Sequence, residues 1–430
     1  MALALSVTPA DALIDAPRTI RVAGARPGQR VEISTRTRRA GVLWQSRAVF
    51  EAGADGSVDP TRDAPVSGDY AGVSAMGLIW SQAPVDSSSR EYFNDPVTEA
   101  LVTEVSAIAD GESAQATLMQ RLSAEGVVRR DVREEGLVGT LYLPPGPGPH
   151  PAVLILNGSG GGINEPRAAL YASHGYAAFA LAYFKAPGLS SYISNTPLEY
   201  FQTGLRWLRR TVKPAHDFVA VSGQSRGGEL VLLLGATFPT EVSAVVAYVP
   251  SAFVHSGQNA SDPKVGRNGP TWLLGGRPLT HLWENNRTAT WTPFDEGPAP
   301  HRHERAILTA LQDPDAMARA RIRVEDIQGP VMLLSGTDDG SWPSSSFSRM
   351  VRDKLLEAKH PYAVQWLDYE GGGHSILFPY VPTTQLVYRH PVSGKTSTSG
   401  GNPAANARAD AQSWPGVLAF LDQAARAAAR

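Results

Sequence analysis

From about residue 136 onward, short unbroken apolar runs alternate with segments whose apolar residues recur at helical spacing. Strands in the interior of a parallel sheet need such runs, because helices cover the sheet on both faces. The pattern therefore predicts an α/β domain over residues 134–430. The predicted strands are 137–143, 152–156, 177–181, 218–221, 245–249, 331–334 and 364–367, and the predicted helices are 165–174, 196–212, a segment through 229–234, and 404–428.

Residues 1–133 show a different pattern, in which apolar and polar residues alternate. Ile20 and Val22 alternate with polar neighbours, and Trp44 and Ala48 share one register of a later run. Gly, Pro and Asp residues that favour turns separate these runs. Alternation with a period of two buries one face of each strand, so this part is predicted to be an all-β sandwich domain.

Three features of the α/β domain depart from a simple alternation of strands and helices. Residues 255–325 are polar and rich in Gly, Pro, Arg and Trp. This stretch is too long for a plain connection, and we interpret it as an inserted cap or pocket-lining region. Residues 393–403 are predicted to be a loop, and Pro415 is predicted to kink the last helix.

Composition excludes several classes of function. The chain of 430 residues has no cysteine, which excludes disulfides, thiolate metal sites and a cysteine nucleophile. A formal net charge of -2 argues against a nucleic-acid partner. No apolar run reaches the roughly 18 residues of a membrane span, and we see no signal peptide and no peroxisomal address. We therefore expect a cytoplasmic protein with neither membrane nor nucleic-acid partners; its oligomeric state stays open.

The strongest local signal is the run Gly223-Gln224-Ser225-Arg226-Gly227, which has the form Gly-x-Ser-x-Gly. An apolar strand precedes it and an apolar helical segment follows it. A tight strand-to-helix turn needs small residues two before and two after the serine, and it lifts the hydroxyl above the sheet at a helix N-terminus. Ser225 is therefore the candidate nucleophile; the alternative is a serine that only caps the helix.

A serine hydroxyl needs a histidine base, and the histidine needs a carboxylate that orients it. In α/β-hydrolases the order along the chain is Ser, then Asp or Glu, then His. Asp339 comes shortly after the predicted strand 331–334, and His374 follows three glycines after the strand 364–367. Asp338 competes for the carboxylate role, but the spacing of Asp339 within its loop favours Asp339, which would leave Asp338 to bond locally.

A glycine-rich loop, Asn157–Gly162, comes directly after a predicted strand. Acyl transfer needs backbone N–H donors that face the developing oxyanion. We predict one donor at Ser159 or Gly160 and the other at the N–H of Arg226, the residue after the nucleophile. The alternative is a dinucleotide phosphate loop, but its third glycine and its ribose-binding acid are missing. No cofactor is predicted.

Lesser candidates lie in the inserted region. The run His301-Arg302-His303-Glu304 has histidines two apart, whereas a helical zinc pair needs four, so we predict a solvated loop and no metal site. Arg277, Arg287 or Arg302 could meet a phosphate-bearing substrate, although arginine is the usual cation of this chain. The tryptophans of the region either line a pocket or pack the cap; they are Trp272, Trp283 and Trp291.

Together these motifs resemble the acyl-CoA thioesterase / bile acid-CoA:amino acid N-acyltransferase family over nearly the whole chain. The residues that carry the resemblance are Gly158–Gly162 with Glu165 and Arg167, His174–Ala177, Leu181–Phe184, Gly223–Leu230, Gly336–Asp339 with Trp342, Gly373-His374 with Pro379-Tyr380, and Asn406–Trp414.

The resemblance implies an N-terminal immunoglobulin-like sandwich joined to a C-terminal α/β-hydrolase domain. It also implies a triad of Ser225, Asp339 and His374. Members of the family that conjugate taurine or glycine use cysteine as nucleophile, whereas this chain has serine, which favours hydrolysis. The expected function is cleavage of a small-molecule acyl-CoA thioester through an acyl-enzyme. The alternatives are transfer of the acyl group to an amine or alcohol, and an esterase or carrier-protein thioesterase.

Overall fold

The computed structural model of the protein describes residues 2–390 and 393–430. Within them the chain forms two compact units. The first contains the chain up to Ala124 together with Leu377–Leu386 and Asn402–Trp414, and the second contains the remaining described residues. The prediction from the sequence places the two late segments in the domain 134–430, and the predicted boundary near residue 133 stays a prediction.

The first unit is built on strands joined by short turns. Its elements before Ala124 are β1 (Ala4–Thr8), β2 (Asp11–Leu13), β3 (Thr19–Ala23), β4 (Arg30–Arg39), β5 (Val42–Glu51), β6 (Ser67–Gly68), α1 (Gly77–Trp80), β7 (Ala83–Pro84), β8 (Leu101–Ala109) and β9 (Glu112–Arg121). β1 pairs with β3, and the larger sheet has the order β2-β9-β8-β4-β5-β6, with β7 also paired to β5.

Alternating residues of these strands form the core of the first unit. Ile20 and Val22 of β3 are fully buried and belong to one cluster with Ile33 of β4, Phe50 of β5 and Val105 of β8. The period-two pattern therefore predicted the buried faces correctly. The β-sandwich prediction is confirmed, while an immunoglobulin-like strand topology stays a prediction.

The second unit alternates strands and helices. Its first elements are β10 (Val128–Val132), β11 (Val138–Leu143), β12 (Ala152–Leu156), α2 (Glu165–Ser173), β13 (Ala177–Ala182), β14 (Thr196–Pro197), α3 (Leu198–Val212), β15 (Val219–Gln224), α4 (Arg226–Thr237) and β16 (Ala244–Tyr248). Then come β17 (Trp272–Leu274), β18 (Arg277–Pro278), α5 (Thr292–Asp295), α6 (Glu304–Ala310), α7 (Pro314–Ala320), β19 (Val331–Gly336), α8 (Ser344–Glu357), β20 (Val364–Tyr369), β21 (Val387–Arg389) and β22 (Thr396–Thr398). The last helix, α9 (Pro403–Ala428), contains Pro415 and begins in the first unit.

The central sheet of the second unit has eight strands in the order β10-β11-β13-β12-β15-β16-β19-β20. β11 is antiparallel to both of its neighbours, and every other pair is parallel. Every residue of β12, β13 and β16 is buried, which explains their unbroken apolar sequences. The α/β part of the fold prediction is confirmed.

Strand order reverses at β12, because the chain goes from β12 to β13 on one side and later to β15 on the other. The loops after β12 and β15 therefore lie at the same edge of the sheet. In open α/β sheets, ligands bind at such a reversal, outside the carboxyl ends of the strands.

The chain between β16 and β19 has structure of its own. β17 and β18 form a small sheet with β14, and α5, α6 and α7 follow. The region of residues 255–325 is thus an ordered insertion, and its role as a cap stays a prediction. Among the described residues, no helix is both long enough and apolar enough to cross a membrane.

Candidate active site

Ser225 lies in the turn between β15 and α4. Its backbone has φ 59° and ψ -118°, a left-handed conformation that a serine rarely adopts. A Cβ at Gly227 would lie 2.5 Å from the carbonyl oxygen of Leu156, and a Cβ at Gly223 would overlap the carbonyl of Gly227. The two glycines of the motif are therefore required, because the turn packs backbone against backbone.

The imidazole of His374 lies between Ser225 and Asp339. Its Nε2 is 2.6 Å from the Ser225 hydroxyl, and its Nδ1 is 2.8 Å from Oδ2 of Asp339. A carboxylate only accepts hydrogen bonds, so Nδ1 carries the proton and Nε2 accepts from the serine. The three residues that the sequence singled out are thus brought together; their catalytic roles stay a prediction.

Asp339 is held by the backbone of its own loop. Only 4% of the residue is exposed. Its Oδ1 accepts hydrogen bonds from the backbone N–H groups of Ser341, at 2.8 Å, and Trp342, at 3.2 Å, which leaves Oδ2 for His374. The neighbouring Asp338 accepts from the backbone N–H of Gly401 at 3.0 Å instead. The two aspartates therefore have different partners, and the assignment of the orienting role to Asp339 stays a prediction.

The predicted oxyanion donors lie on either side of Ser225. Arg226 is the first residue of α4, so its backbone N–H has no partner within the helix. In the loop after β12, a Cβ at Gly158 would lie 3.2 Å from the Cβ of Ser225, so this loop packs against the turn. Ser159 and Gly160 follow and are exposed. Their roles as donors stay predictions.

A buried ion pair in the first turn of α4 begins at the residue after Ser225 and was not predicted from the sequence. Nη1 of Arg226 donates to Oε2 of Glu229 at 2.9 Å, and neither side chain is exposed. The other oxygen of Glu229 accepts from the backbone N–H of His255 at 3.0 Å and from Trp272 Nε1 at 2.9 Å. Burial raises the pKa of Glu229, and the Arg226 charge opposes that rise. The apolar run that follows Glu229 was the available signal that this helix is buried on all sides.

His255 is a second buried histidine near the site. Its Nε2 is 2.8 Å from the Ser251 hydroxyl, and its ring stacks on Trp342 with 4.9 Å between ring centroids. Burial, aided by the Arg226 charge, holds the pKa of His255 well below the ordinary value. His255 is therefore neutral and links the nucleophile turn to the loop of Asp339 through packing.

The segment 301–304 is not the solvated loop that the sequence predicted. The Arg302 guanidinium donates to the carbonyl of Asp339 at 3.1 Å and pairs with Asp338 at 3.0 Å. His303 lies 3.1 Å from the carbonyl of Ser341 through Nδ1. The prediction failed because these contacts join positions far apart in sequence. Within residues 2–390 and 393–430, no group of three or more His, Asp or Glu side chains is arranged to hold a metal ion.

The other arginines and the tryptophans that the sequence singled out in the insertion have different surroundings. Arg287 pairs with Asp313 and Asp315, whereas Arg277 is exposed. Trp283 and Trp291 stack on each other with 4.5 Å between ring centroids and are largely buried. Trp283 and Trp291 therefore pack within the insertion and also border an open pocket there, so the two alternatives hold together for them. Trp272 is fully buried and packs the insertion.

The predicted loop 393–403 contains β22 and supports the candidate triad. The carbonyl oxygen of Ser399 accepts from the backbone N–H of His374 at 2.9 Å and from that of Gly340 at 3.0 Å. One main-chain oxygen therefore joins the loop of the histidine to the loop of the aspartate. The sequence carried no sign of this role, because the contacts use backbone atoms only.

Sheet order and site together define the class of protein. The strand-to-helix turn with its serine, followed by an aspartate and a histidine after later strands, is the α/β-hydrolase arrangement. Among solved structures, an α/β hydrolase enzyme from a deep-sea metagenome library aligns with 70% of this chain and 100% of its own, at 18% identity and a TM-score of 0.41. The assignment of the class rests on the strand order and turn of this chain itself.

Comparison with known proteins identifies the family within that class. The family described as BAAT / Acyl-CoA thioester hydrolase C terminal matches residues 196–427, and the corresponding N-terminal region matches residues 15–134. The chain belongs to this family and is an enzyme, which confirms the resemblance stated from the sequence motifs.

Three relatives illustrate the range of the family. Acyl-coenzyme A thioesterase 6 of Mus musculus is 30% identical over 98% of this chain and 97% of its own. Peroxisomal succinyl-coenzyme A thioesterase of Mus musculus is 30% identical over 98% and 96%. Acyl-coenzyme A amino acid N-acyltransferase 2 of Rattus norvegicus is also 30% identical, over 98% of each chain.

Replacing Glu229 with leucine is expected to destabilise the protein strongly. The change leaves the Arg226 guanidinium buried without its partner, which costs about 3–5 kcal/mol of unfolding free energy. Denaturant unfolding followed by fluorescence measures the loss. The double variant Arg226→Met/Glu229→Leu is the control and should recover much of it, because both charges are gone. Equal stabilities of Glu229→Leu and wild type would contradict the assignment.

The stability of the protein is expected to fall in mildly acidic solution, partly through His303. Burial lowers the pKa of His303 from 6.5 to about 4. The unfolded chain therefore takes up a proton at this residue below about pH 6.5, while the folded chain stays unprotonated down to about pH 4. The free energy of unfolding therefore keeps the full contribution of neutral His303 above about pH 6.5. It loses this contribution as the pH falls from about 6.5 to about 4.

The variant His303→Asn tests this linkage, since an asparagine keeps a donor for the Ser341 carbonyl. Unfolding free energy is measured from pH 7 downwards for variant and wild type. The unfolding free energy of the variant should fall less steeply with decreasing pH between about 6.5 and 4 than that of the wild type. Some pH dependence should remain, because the pKa of His255 is also lowered by burial. Identical slopes would assign the acid sensitivity to other groups.

Proposed function

We propose that the protein hydrolyses acyl-CoA thioesters to the free acid and CoA through an acyl-enzyme on Ser225. The observation that carries the proposal is the contact of His374 with Ser225 at 2.6 Å and with Asp339 at 2.8 Å. Membership in a family whose relatives include acyl-CoA thioesterases supports the substrate class. The substrate is thus a small CoA-linked molecule, and the cytoplasmic location stays a prediction.

In the first step, Nε2 of His374 takes the proton of the Ser225 hydroxyl as its oxygen attacks the thioester carbonyl. The Asp339 carboxylate stabilises the imidazolium that forms and keeps the ring oriented. The left-handed turn presents the hydroxyl at the N-terminus of α4. Partial positive charge at that end of the helix favours the negative charge that develops on the carbonyl oxygen.

The oxyanion of the tetrahedral intermediate accepts hydrogen bonds from the backbone N–H of Arg226 and from an N–H at Ser159 or Gly160. Each such donor lowers the activation barrier by about 3–4 kcal/mol. The buried pair of Arg226 with Glu229 holds the first turn of α4, and thus this N–H, in place. Collapse of the intermediate breaks the C–S bond, and His374 returns the proton to the CoA sulfur.

Water then replaces CoA and is activated by the same histidine. Its attack on the acyl ester of Ser225 forms a second tetrahedral intermediate, which releases the acid and restores the hydroxyl. A serine oxyester is less reactive toward amines than a cysteine thioester. The serine at position 225 therefore favours hydrolysis over transfer to an amino acid.

A second candidate function is transfer of the acyl group to an amine, since one relative of equal identity is an amino acid N-acyltransferase. Incubation with an acyl-CoA and glycine or taurine, followed by mass spectrometry, separates the two functions. Free acid should dominate if the hydrolase proposal is right. An N-acyl product in excess of free acid would overturn it in favour of transfer.

Replacing Ser225 with alanine is expected to reduce kcat for acyl-CoA hydrolysis by roughly 10^4-fold or more, because the acyl-enzyme can no longer form. Release of free CoA, measured with a thiol reagent across acyl chain lengths, gives the rates. The variant Ser88→Ala, in an exposed loop of the first unit, is the matched control and should keep wild-type rates. Near-normal turnover by Ser225→Ala would refute the mechanism.

A further inference from the structure

The loop that carries Asp339 is supported from two sides by segments distant in sequence. We call residues 337–342 the acid loop. On one side, the carbonyl of Ser399 accepts the N–H of Gly340 at 3.0 Å, and the same oxygen binds the histidine loop. On the other side lies Arg302 of the insertion, whose side chain is 22% exposed.

Arg302 touches the acid loop through both charge and backbone. Its Nη2 lies 3.0 Å from Oδ1 of Asp338 and donates to the carbonyl of Asp339 at 3.1 Å. Its Nε donates to Glu304 at 3.0 Å, and the N–H of Glu304 donates to the carbonyl of Gly340 at 3.1 Å. Three consecutive residues of the acid loop are thereby bound to one short segment of the insertion.

These contacts occupy two of the three nitrogens of the guanidinium, Nε and Nη2. The planar fork of arginine presents its donors in fixed directions, and here Nε and Nη2 are directed at three oxygen acceptors of the protein. A phosphate-binding arginine needs those donors for its ligand. The suggestion from the sequence that Arg302 meets a phosphate-bearing substrate stays a prediction, for which these contacts leave only Nη1.

What the contacts do control is the position of the Asp339 backbone. The Asp339 carboxylate has only two rotatable bonds, so its oxygens follow the main chain of the loop closely. A displacement of about 1 Å would lengthen the 2.8 Å contact between Asp339 and Nδ1 of His374 beyond hydrogen-bond range. Misplacement by that amount at a catalytic group costs up to about 10²-fold in rate.

We propose that Arg302 is a positioning residue of the triad, which fixes the acid loop so that Asp339 stays aligned with His374. The inference rests on the proposed function, since it assigns Arg302 to the same reaction. The insertion then does more than border a pocket, because it completes the support of the reacting residues.

The variant Arg302→Met tests the proposal, since it keeps the aliphatic stem and removes every donor. Three quantities are measured: kcat and KM for an acyl-CoA, the same for a p-nitrophenyl ester, and the second-order rate of Ser225 labelling by a fluorophosphonate. We expect kcat for both substrates and the labelling rate to fall 10- to 100-fold, with each KM within about twofold of wild type. A purely structural role would lower stability without moving the labelling rate of the folded enzyme.

Arg321→Met is the matched control, because Arg321 lies in the same insertion and forms a bidentate ion pair with Glu325. It should lower the melting temperature and leave kcat and the labelling rate unchanged. If Arg302→Met does not fold, Arg302→Lys is used instead. A lysine lacks the separate Nε donor and the planar geometry of the guanidinium, so it keeps fewer of these contacts, and kcat and labelling should fall several-fold.

Two results would overturn the proposal. One is wild-type labelling and kcat in the folded Arg302 variant. The other is a KM that rises at least tenfold for the acyl-CoA alone, with ester kinetics and labelling unchanged, which would make Arg302 a phosphate contact after all. A wild-type enzyme that labels at Ser225 but does not cleave any acyl-CoA would contradict the proposed function, and the labelling comparison would still test Arg302.

Discussion

A single imidazole holds the candidate site together. His374 contacts Ser225 through one nitrogen and Asp339 through the other. Both hydrogen bonds of the imidazole therefore form only when the three loops that carry these residues are correctly placed. The parallel pairing of β15, β16, β19 and β20 brings the ends of these strands to one edge of the sheet. The sheet brings the three loops close together, and the contacts around each loop fix the candidate catalytic side chains at hydrogen-bond distance.

The three loops are supported by different means. The turn at Ser225 depends on close backbone packing, in which Gly223, Gly227 and Gly158 leave no room for side chains. Behind it, the Arg226 and Glu229 pair is wholly buried and connects α4 to the start of the insertion. The loops of the aspartate and histidine instead depend on polar contacts from elsewhere in the chain. Close backbone packing thus positions the serine, and long-range hydrogen bonds position the aspartate and the histidine.

Much of this architecture could be predicted from the sequence, because it follows from local patterns. The strand predicted at 331–334 is Val331–Gly336, and the helix predicted at 404–428 is Pro403–Ala428. Ser225, Asp339 and His374 could be selected because each lies next to a recognisable strand. The order of elements along the chain then implied that the three would meet.

What could not be predicted depends on contacts between distant positions. Nothing in the run around Arg302 distinguishes a surface arginine from one bound to a loop more than thirty positions later, and the pattern led to a wrong interpretation as a solvated loop. Glu229 resembles an ordinary helix carboxylate until the burial of α4 on all sides is known. The support from Ser399 uses its backbone oxygen, which leaves no trace in the identity of its own side chain.

The support from Ser399 has an evolutionary consequence. Its contribution to both loops is a main-chain oxygen, which every amino acid carries, so these two hydrogen bonds do not depend on its side chain. The neighbouring glycines are constrained by residue type, since a Cβ at Gly373 would overlap the carbonyl of Gly400, and one at Gly400 would overlap that of Asp338. Descendants of this chain are therefore expected to keep glycine at positions 373 and 400, because these residues preserve the path that brings the Ser399 carbonyl to both loops.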